Sequence, residues 1–420
     1  MNLVDRPLRV AFFNAADRVS GAEILIRQTV EGLIGRGVEA RIYAKERKTD
    51  LPYVHLLPYF PRERGVEVRF RHWTGGNDIL FPSTLGLGWR SWIKDADVWH
   101  FHNFHGHYVS LPFLAMQSWR RPVVVSPVDE YLATGYCPYT MGCERFRQSC
   151  GSCPQILTMP YPGISRDSTR ALLAMKRISV TGSRFNILLH TEYMAQHYST
   201  TFVGRRPIER IYYGVDTQVF RPMEREACAQ ALGLEPSKRF VVGLVHSNVQ
   251  EERKGFLPLL QMLVMLGEEI PARLEVLVVG RGSDTMTKYG TPQLKITAVP
   301  FLASPEELAT ALNLCDVLLY PTKAENLSLT CLSALACGVP VITSDIGGQG
   351  EAVSDGINGF LCDAGRFEQF AERVAQLAVN QDVKQRLSIA ARQTALTKFD
   401  IRTYIDNLIA YYNRVSRRTP

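Results

Sequence analysis

The sequence predicts an α/β protein of two tandem units, each built on a parallel sheet with helices on both faces. Three observations carry that reading. Near-continuous apolar runs of strand length alternate with segments of helical periodicity, as expected when a parallel sheet is buried on both sides. The alternation runs twice along the chain. Its 420 residues suit two domains of roughly 200 residues each.

The first half opens with LRVAFFNAA as a strand and ADRVSG as a turn ending in Ser20 and Gly21. A helix follows, with Ile24, Leu25, Val30, Leu33 and Ile34 at helical spacing and Gly37 as its stop. VEARIYAKE returns as the second strand. DADVWHFHNF and RPVVVSPVDE are further strands around a helical LPFLAMQSW. FNILLHT, a helix from Glu192 and ERIYYGVDTQVF complete this half.

The same grammar restarts after VDTQVFRP. RFVVGLVHS, RLEVLVVGRG, LKITAVPF, CDVLLYPT and GVPVITSD read as strands, each followed by a helical segment. The expected division is 1–205 and 206–395, two Rossmann-like domains. Residues 396–420 form an amphipathic terminal helix with no strand after it, which must pack back on the first domain.

Composition narrows the function classes. Hydrophobic residues make up 46% and charged residues 21%, enough apolar material for a large core. No apolar run reaches the roughly 18–20 residues that span a bilayer. The opening MNLVDRPLRV lacks the features of an export signal, so a cytoplasmic protein is expected. The net charge of +7 favours anionic partners such as sugar diphosphates, lipid phosphates or a membrane surface, and does not demand nucleic acid. Arg62, Arg64, Arg69 and Arg71 read as a solvated, loop-like stretch rather than a lipid-docking patch.

The most informative segment is KAENLSLTCLSALACGVPVITSDIGGQGEAV. Glu325 falls at a strand end, where open α/β sheets bind ligands, and LSLTCLSALAC is a helix stopped by Gly338. A carboxylate there accepts hydrogen bonds from sugar hydroxyls, while the amides of Asn326, Leu327 and Ser328 are expected to face a phosphate. The helix start at Gly21 is a second, weaker anion site.

In these motifs the chain resembles the retaining glycosyltransferase family 4, whose fold is GT-B: two Rossmann-like domains with a cleft between them and a terminal crossover helix. The family's E-x7-E and A-x-A-C-G-x-P-V-I pattern is matched by Glu325 and ALACGVPVI. IYYGVDTQVFRP is similar to its inter-domain signature, ERKGF to its basic phosphate loop, and VPFLASPEELATALNLCDVLLYPT to its nucleotide-side segment. HFHNFH and TGYCPYTMGCERFRQSCGSCP resemble blocks of bacterial exopolysaccharide enzymes of the colanic-acid type.

The resemblance implies a nucleotide-sugar donor and a glycan or lipid-linked acceptor, with peripheral membrane contact compatible with the latter. Lys254, with Arg253 as the nearby guanidinium, would neutralise the leaving diphosphate. Glu325 would hold the donor sugar, and backbone near Phe301 and Leu302 would hold the base. No metal is required for catalysis if lysine and helix N-termini stabilise the departing charge.

Two positions depart from the family. Its second Glu falls on Ser333, a weaker ribose ligand. The His of its His–Asp pair falls on Val128, leaving Asp129. Either His102 or His105 compensates, or the chain is a catalytically impaired homologue that binds sugar nucleotide or a partner enzyme. A phosphorylase or epimerase on the same fold has less support.

Cys137, Cys143, Cys150 and Cys153 lie within a short span, and the last two form C-x2-C, a zinc-ligand spacing. Structural zinc, reduced thiols and disulfides all fit. The other five cysteines read as core thiols. Trp89, Trp92 and Trp99 read as core rather than a sugar-stacking platform, and Asp216 as a turn residue.

Overall fold

The computed structural model describes residues 6–17, 21–76, 78–156, 166–266 and 273–416. The expected turn residue Ser20 and the first five residues lie outside these. The chain divides into two compact units, Met1–Ile211 with Ile405–Pro420, and Tyr212–Tyr404.

The first unit holds a seven-stranded parallel sheet in the order β3-β2-β1-β4-β5-β6-β7. Its strands are β1 (Arg9–Ala16), β2 (Glu39–Glu46), β3 (Val54–Leu56), β4 (Val98–His102), β5 (Val123–Ser126), β6 (Asn186–Leu189) and β7 (Ile208–Arg210). Phe12, Phe13, Val98, Phe101 and Val123–Val125 are fully buried, as two covered faces require. α1 (Gly21–Ile34) follows β1, and Gly37 ends its turn at φ 79°.

The second unit repeats the design with six parallel strands in the order β10-β9-β8-β11-β12-β13. These are β8 (Phe240–Asn248), β9 (Leu274–Arg281), β10 (Leu294–Val299), β11 (Val317–Tyr320), β12 (Val341–Ser344) and β13 (Gly359–Cys362). Both sheets reverse strand order beside their first strand, between β1 and β4 and between β8 and β11. Such switch points open a crevice at the carboxyl ends of the strands.

Several expectations are corrected. The arginine-rich stretch is a helix, α2 (Glu63–Thr74), not a loop. Glu63 and Glu67 are buried on its inner face, and Glu67 pairs with Arg71 at 3.7 Å, a spacing only a helix provides. Trp73 on the same helix is 77% exposed. Trp99 is core, but Trp89 is exposed. The edge strands β3 and β13 were not expected, because a few residues at a sheet edge carry almost no periodicity. ERIYYGVDTQVF supplies only the short β7 before the chain turns.

The terminal helix begins at Ile401, not at 396; residues 396–398 finish the helix Gln381–Lys398. Asp400 accepts the Arg402 N–H through its side chain at 2.8 Å, which breaks one helix and starts the next. The last helix joins the first unit. Tyr412 Oη meets His100 Nδ1 at 2.5 Å, Arg36 pairs with Asp406 at 3.0 Å and Arg414 with Glu209 at 2.6 Å.

Candidate active site

In the second unit the switch point gathers a compact charged triad. β8 leads into the turn holding Arg253 and Lys254, closed by Gly255 at φ 68°, and β11 leads into the loop holding Glu325. Lys254 Nζ donates to Glu325 Oε2 and to Tyr320 Oη, each at 2.6 Å. Tyr320 Oη donates to the same carboxylate oxygen at 3.0 Å. The lysine side chain is 3% exposed and the carboxylate 12%, so Glu325 is the member a ligand can reach. Burial opposes ionisation of Glu325, but Lys254 and Arg253 more than offset it and hold its pKa at about 2.

Lys254 therefore does not present its ammonium outward. Arg253 is the more open cation at 22% exposure, with Nη1 on the Ala324 carbonyl at 2.5 Å and Nε on Glu251 at 2.8 Å. His246, at the end of β8, is kept neutral with a pKa of about 4 by burial and by the Lys254 charge.

The expected amide cradle is partly spent inside the protein. The Asn326 N–H donates to Glu325 Oε1 at 3.1 Å, and the Ser328 N–H to Gln349 Oε1 at 2.9 Å. Ser328 instead caps the helix Leu329–Ala336, its Oγ accepting from Cys331 N at 3.3 Å. Leu327 is buried, and its carbonyl accepts the Tyr213 hydroxyl. Ser333 is buried within that helix rather than open to a ribose. Gly347 approaches the Glu325 carbonyl so closely, at φ 62°, that no Cβ would fit. Phe301 and Leu302 follow β10 half-buried, with the Arg281 guanidinium over the Phe301 ring at 4.8 Å.

In the first unit the loops after β4 and β5 bring His105 and Asp129 together as an ion pair. Lys45 Nζ holds the carbonyls of Gly106 and His107, both at 3.1 Å, and Asn103 and His107 take left-handed conformations to make the turn. Asp129 Oδ1 accepts the Tyr131 N–H at 3.0 Å. Burial disfavours charge on His105, but the Asp129 carboxylate raises its pKa above the ordinary value. His102 is not the partner. It is buried and stacked on Phe12, and burial with neighbouring His190 lowers its pKa to about 3. Gly21 opens α1 and is exposed.

Behind this pair lies a buried network that sequence reasoning missed. Asp78 joins His107 Nδ1 at 2.9 Å and the Tyr131 hydroxyl at 2.5 Å. The fully buried Lys176 donates to the carbonyls of Tyr131 and Thr134 at 2.8 and 3.0 Å. Tyr320 and Gln349 were missed too. Each is a common residue type whose role exists only once distant segments meet.

All nine cysteines are free thiols. Cys228, Cys315, Cys331, Cys337 and Cys362 are buried in the core as expected. Cys137, Cys143, Cys150 and Cys153 line one small cavity, although no group of three or more His, Cys, Asp or Glu among the described residues closes to metal-holding geometry. Among the described residues no helix is long and apolar enough to cross a membrane.

Known proteins resemble this chain in sequence and in fold. A family model described as Glycosyltransferase Family 4 matches residues 19–219, and one described as Glycosyl transferases group 1 matches residues 234–394. The chain carries two glycosyltransferase domains and is of the GT-B type.

The GT-B chain is similar to D-inositol 3-phosphate glycosyltransferase of Mycolicibacterium smegmatis, 24% identical over 413 residues, covering 94% of this chain and 86% of that protein. It spans about half the length of further curated relatives that it matches. In fold it is similar to sucrose-phosphate synthase from Thermosynechococcus elongatus, with TM-score 0.70, 15% identity and coverage of 97% and 99%. Anabaena HepE in complex with UDP-glucose gives TM-score 0.64, 16% identity and coverage of 97% and 100%.

Proposed function

We propose that this chain is a retaining glycosyltransferase that moves a hexose from a UDP- or GDP-sugar to a glycan or lipid-linked acceptor of a surface polysaccharide. The observation that carries this reading is Glu325: an ionised, partly exposed carboxylate at a sheet's switch point, backed by a buried lysine. Such a group accepts hydrogen bonds from the hydroxyls of a sugar. Arg253 meets the diphosphate, while Lys254 acts through Glu325 as a positioning residue. In the first unit the Asp129-polarised imidazole of His105 takes the role that Val128 cannot. The colanic-acid type rests on the motif resemblance alone. The reaction runs in the cytoplasm or at the inner face of its membrane, and α2 offers exposed Val66, Val68 and Trp73 among arginines for membrane contact.

A second reading has its own support. Val128 and the buried Ser333 favour a homologue that binds sugar nucleotide without turnover. Purified protein given a panel of nucleotide sugars and acceptor extracts separates the two. Release of UDP or GDP that Glu325→Ala abolishes supports transfer. Binding without release supports the second reading, and no binding at millimolar donor rejects both.

A further inference from the structure

Between Thr134 and Ile156 the chain runs 23 residues with a single three-residue turn of 3-10 helix, Arg145–Arg147, as its regular structure. Irregular stretches of that length in a compact unit need something to hold them. Cys137, Cys143, Cys150 and Cys153 all face one cavity of about 20 Å³, room for a single water-sized ion. The backbone N–H of Gly135 bonds to the Cys150 sulfur and that of Gln155 to the Cys153 sulfur. The Arg145 side chain lines the same cavity, adding positive charge beside the sulfurs.

The backbone is bent in the manner of a ligand loop. Met141, Gly142, Cys150, Gly151 and Ser152 all have positive φ, three of them non-glycine. The left-handed backbone at Met141, Cys150 and Ser152 is disfavoured for side-chain-bearing residues and persists where surrounding structure over-determines it.

We propose that this cavity is a structural zinc site whose four thiolates close on the ion when it binds. Binding forms four Zn–S bonds as four S–H protons leave to solvent, with no change in oxidation state. As they stand, the thiols face the cavity without meeting at its centre, so the ion itself draws the loop in. The consequence reaches the site. Thr140 N and the Pro138 carbonyl clasp Glu130 at 2.7 and 2.8 Å, next to Asp129.

The test uses the full chain, purified with a non-chelating reductant, and does not depend on sugar transfer. Elemental analysis is expected to find about one zinc per chain, with four thiols shielded from a thiol reagent until a chelator is added. Cobalt(II) replacing zinc is expected to give the intense thiolate-to-metal absorption of a tetrahedral sulfur site, which Cys150→Ser weakens. Should that variant not fold, the cobalt spectrum and thiol count of the unmodified chain decide. Zinc absent after exposure to the ion, with all four thiols reactive, overturns the proposal; so does a disulfide among them seen by mass spectrometry.

Discussion

Lys254 and Glu325, 71 positions apart in sequence, form a 2.6 Å ion pair in which the cation is buried and the anion is only partly exposed. The pair converts an expected phosphate-binding lysine into the support of a carboxylate. Removing one member of a buried pair costs about 3–5 kcal/mol, whereas replacing both is far milder. Lys254→Met alone is therefore expected to lower the stability of the second unit by about 3 kcal/mol, and Lys254→Met with Glu325→Gln by appreciably less. Urea unfolding of the four proteins in the cycle checks this; additive losses would refute the coupling.

Arg253→Ala is expected to weaken nucleotide-sugar binding roughly tenfold, about 1.4 kcal/mol, because it removes the outer cation. Thermal stability should change little beside that. Calorimetric titration with the donor identified in the nucleotide-sugar screen measures it, and unaltered affinity counts against a diphosphate at this position.

Gly347→Ala adds a Cβ that runs into the Glu325 carbonyl oxygen, at a φ that L-residues avoid. The loop carrying Glu325 has to shift. A loss of about 2 kcal/mol or more is expected, together with donor binding. A variant as stable and as active as the parent would show that the loop is not so placed.

The two histidine environments of the first unit pull stability in opposite directions with pH. His105 has a raised pKa, so its pairing with Asp129 contributes fully below 6.5 and is lost as pH rises through the folded value. His102 and His190, held at about 3 and 4, do the reverse: stability present above 6.5 falls as the pH drops toward those values. His105 does not offset them, because its contribution is already complete below 6.5; and His55, His100, His107 and His197 are lowered as well, so net weakening is expected as the pH falls from 6.5 toward about 4. Asp129→Asn should lower the His105 pKa, read by NMR titration, and steepen the acid loss. A flat profile in both proteins contradicts these assignments.

Trp73→Ser with Arg69→Ser on α2 is expected to reduce flotation with anionic vesicles and to leave neutral vesicles unaffected. Equal flotation of parent and variant removes α2 from consideration.

Most of the architecture was legible in the amino-acid order. Buried strands such as LRVAFFNAA and RLEVLVVGRG are apolar on both faces, and helices such as that ending at Gly37 carry periodicity and a stop, so local chemistry specified them. Short edge strands such as GFLC and the helix α2 were not legible, since one lacks a pattern and the other alternates arginines with glutamates, valines and aromatic residues. The loop positions of Glu325, Asp129 and His105 could also be read, because strand ends are where ligands bind.

What the order of residues could not supply was pairing. That Lys254 turns inward to Glu325 and Tyr320, that His105 rather than His102 meets Asp129, and that the amides of Asn326 and Ser328 are already engaged depend on segments far apart in sequence. Desolvation and Coulomb energy act across space, so they were decided only when the parallel strands set those loops side by side.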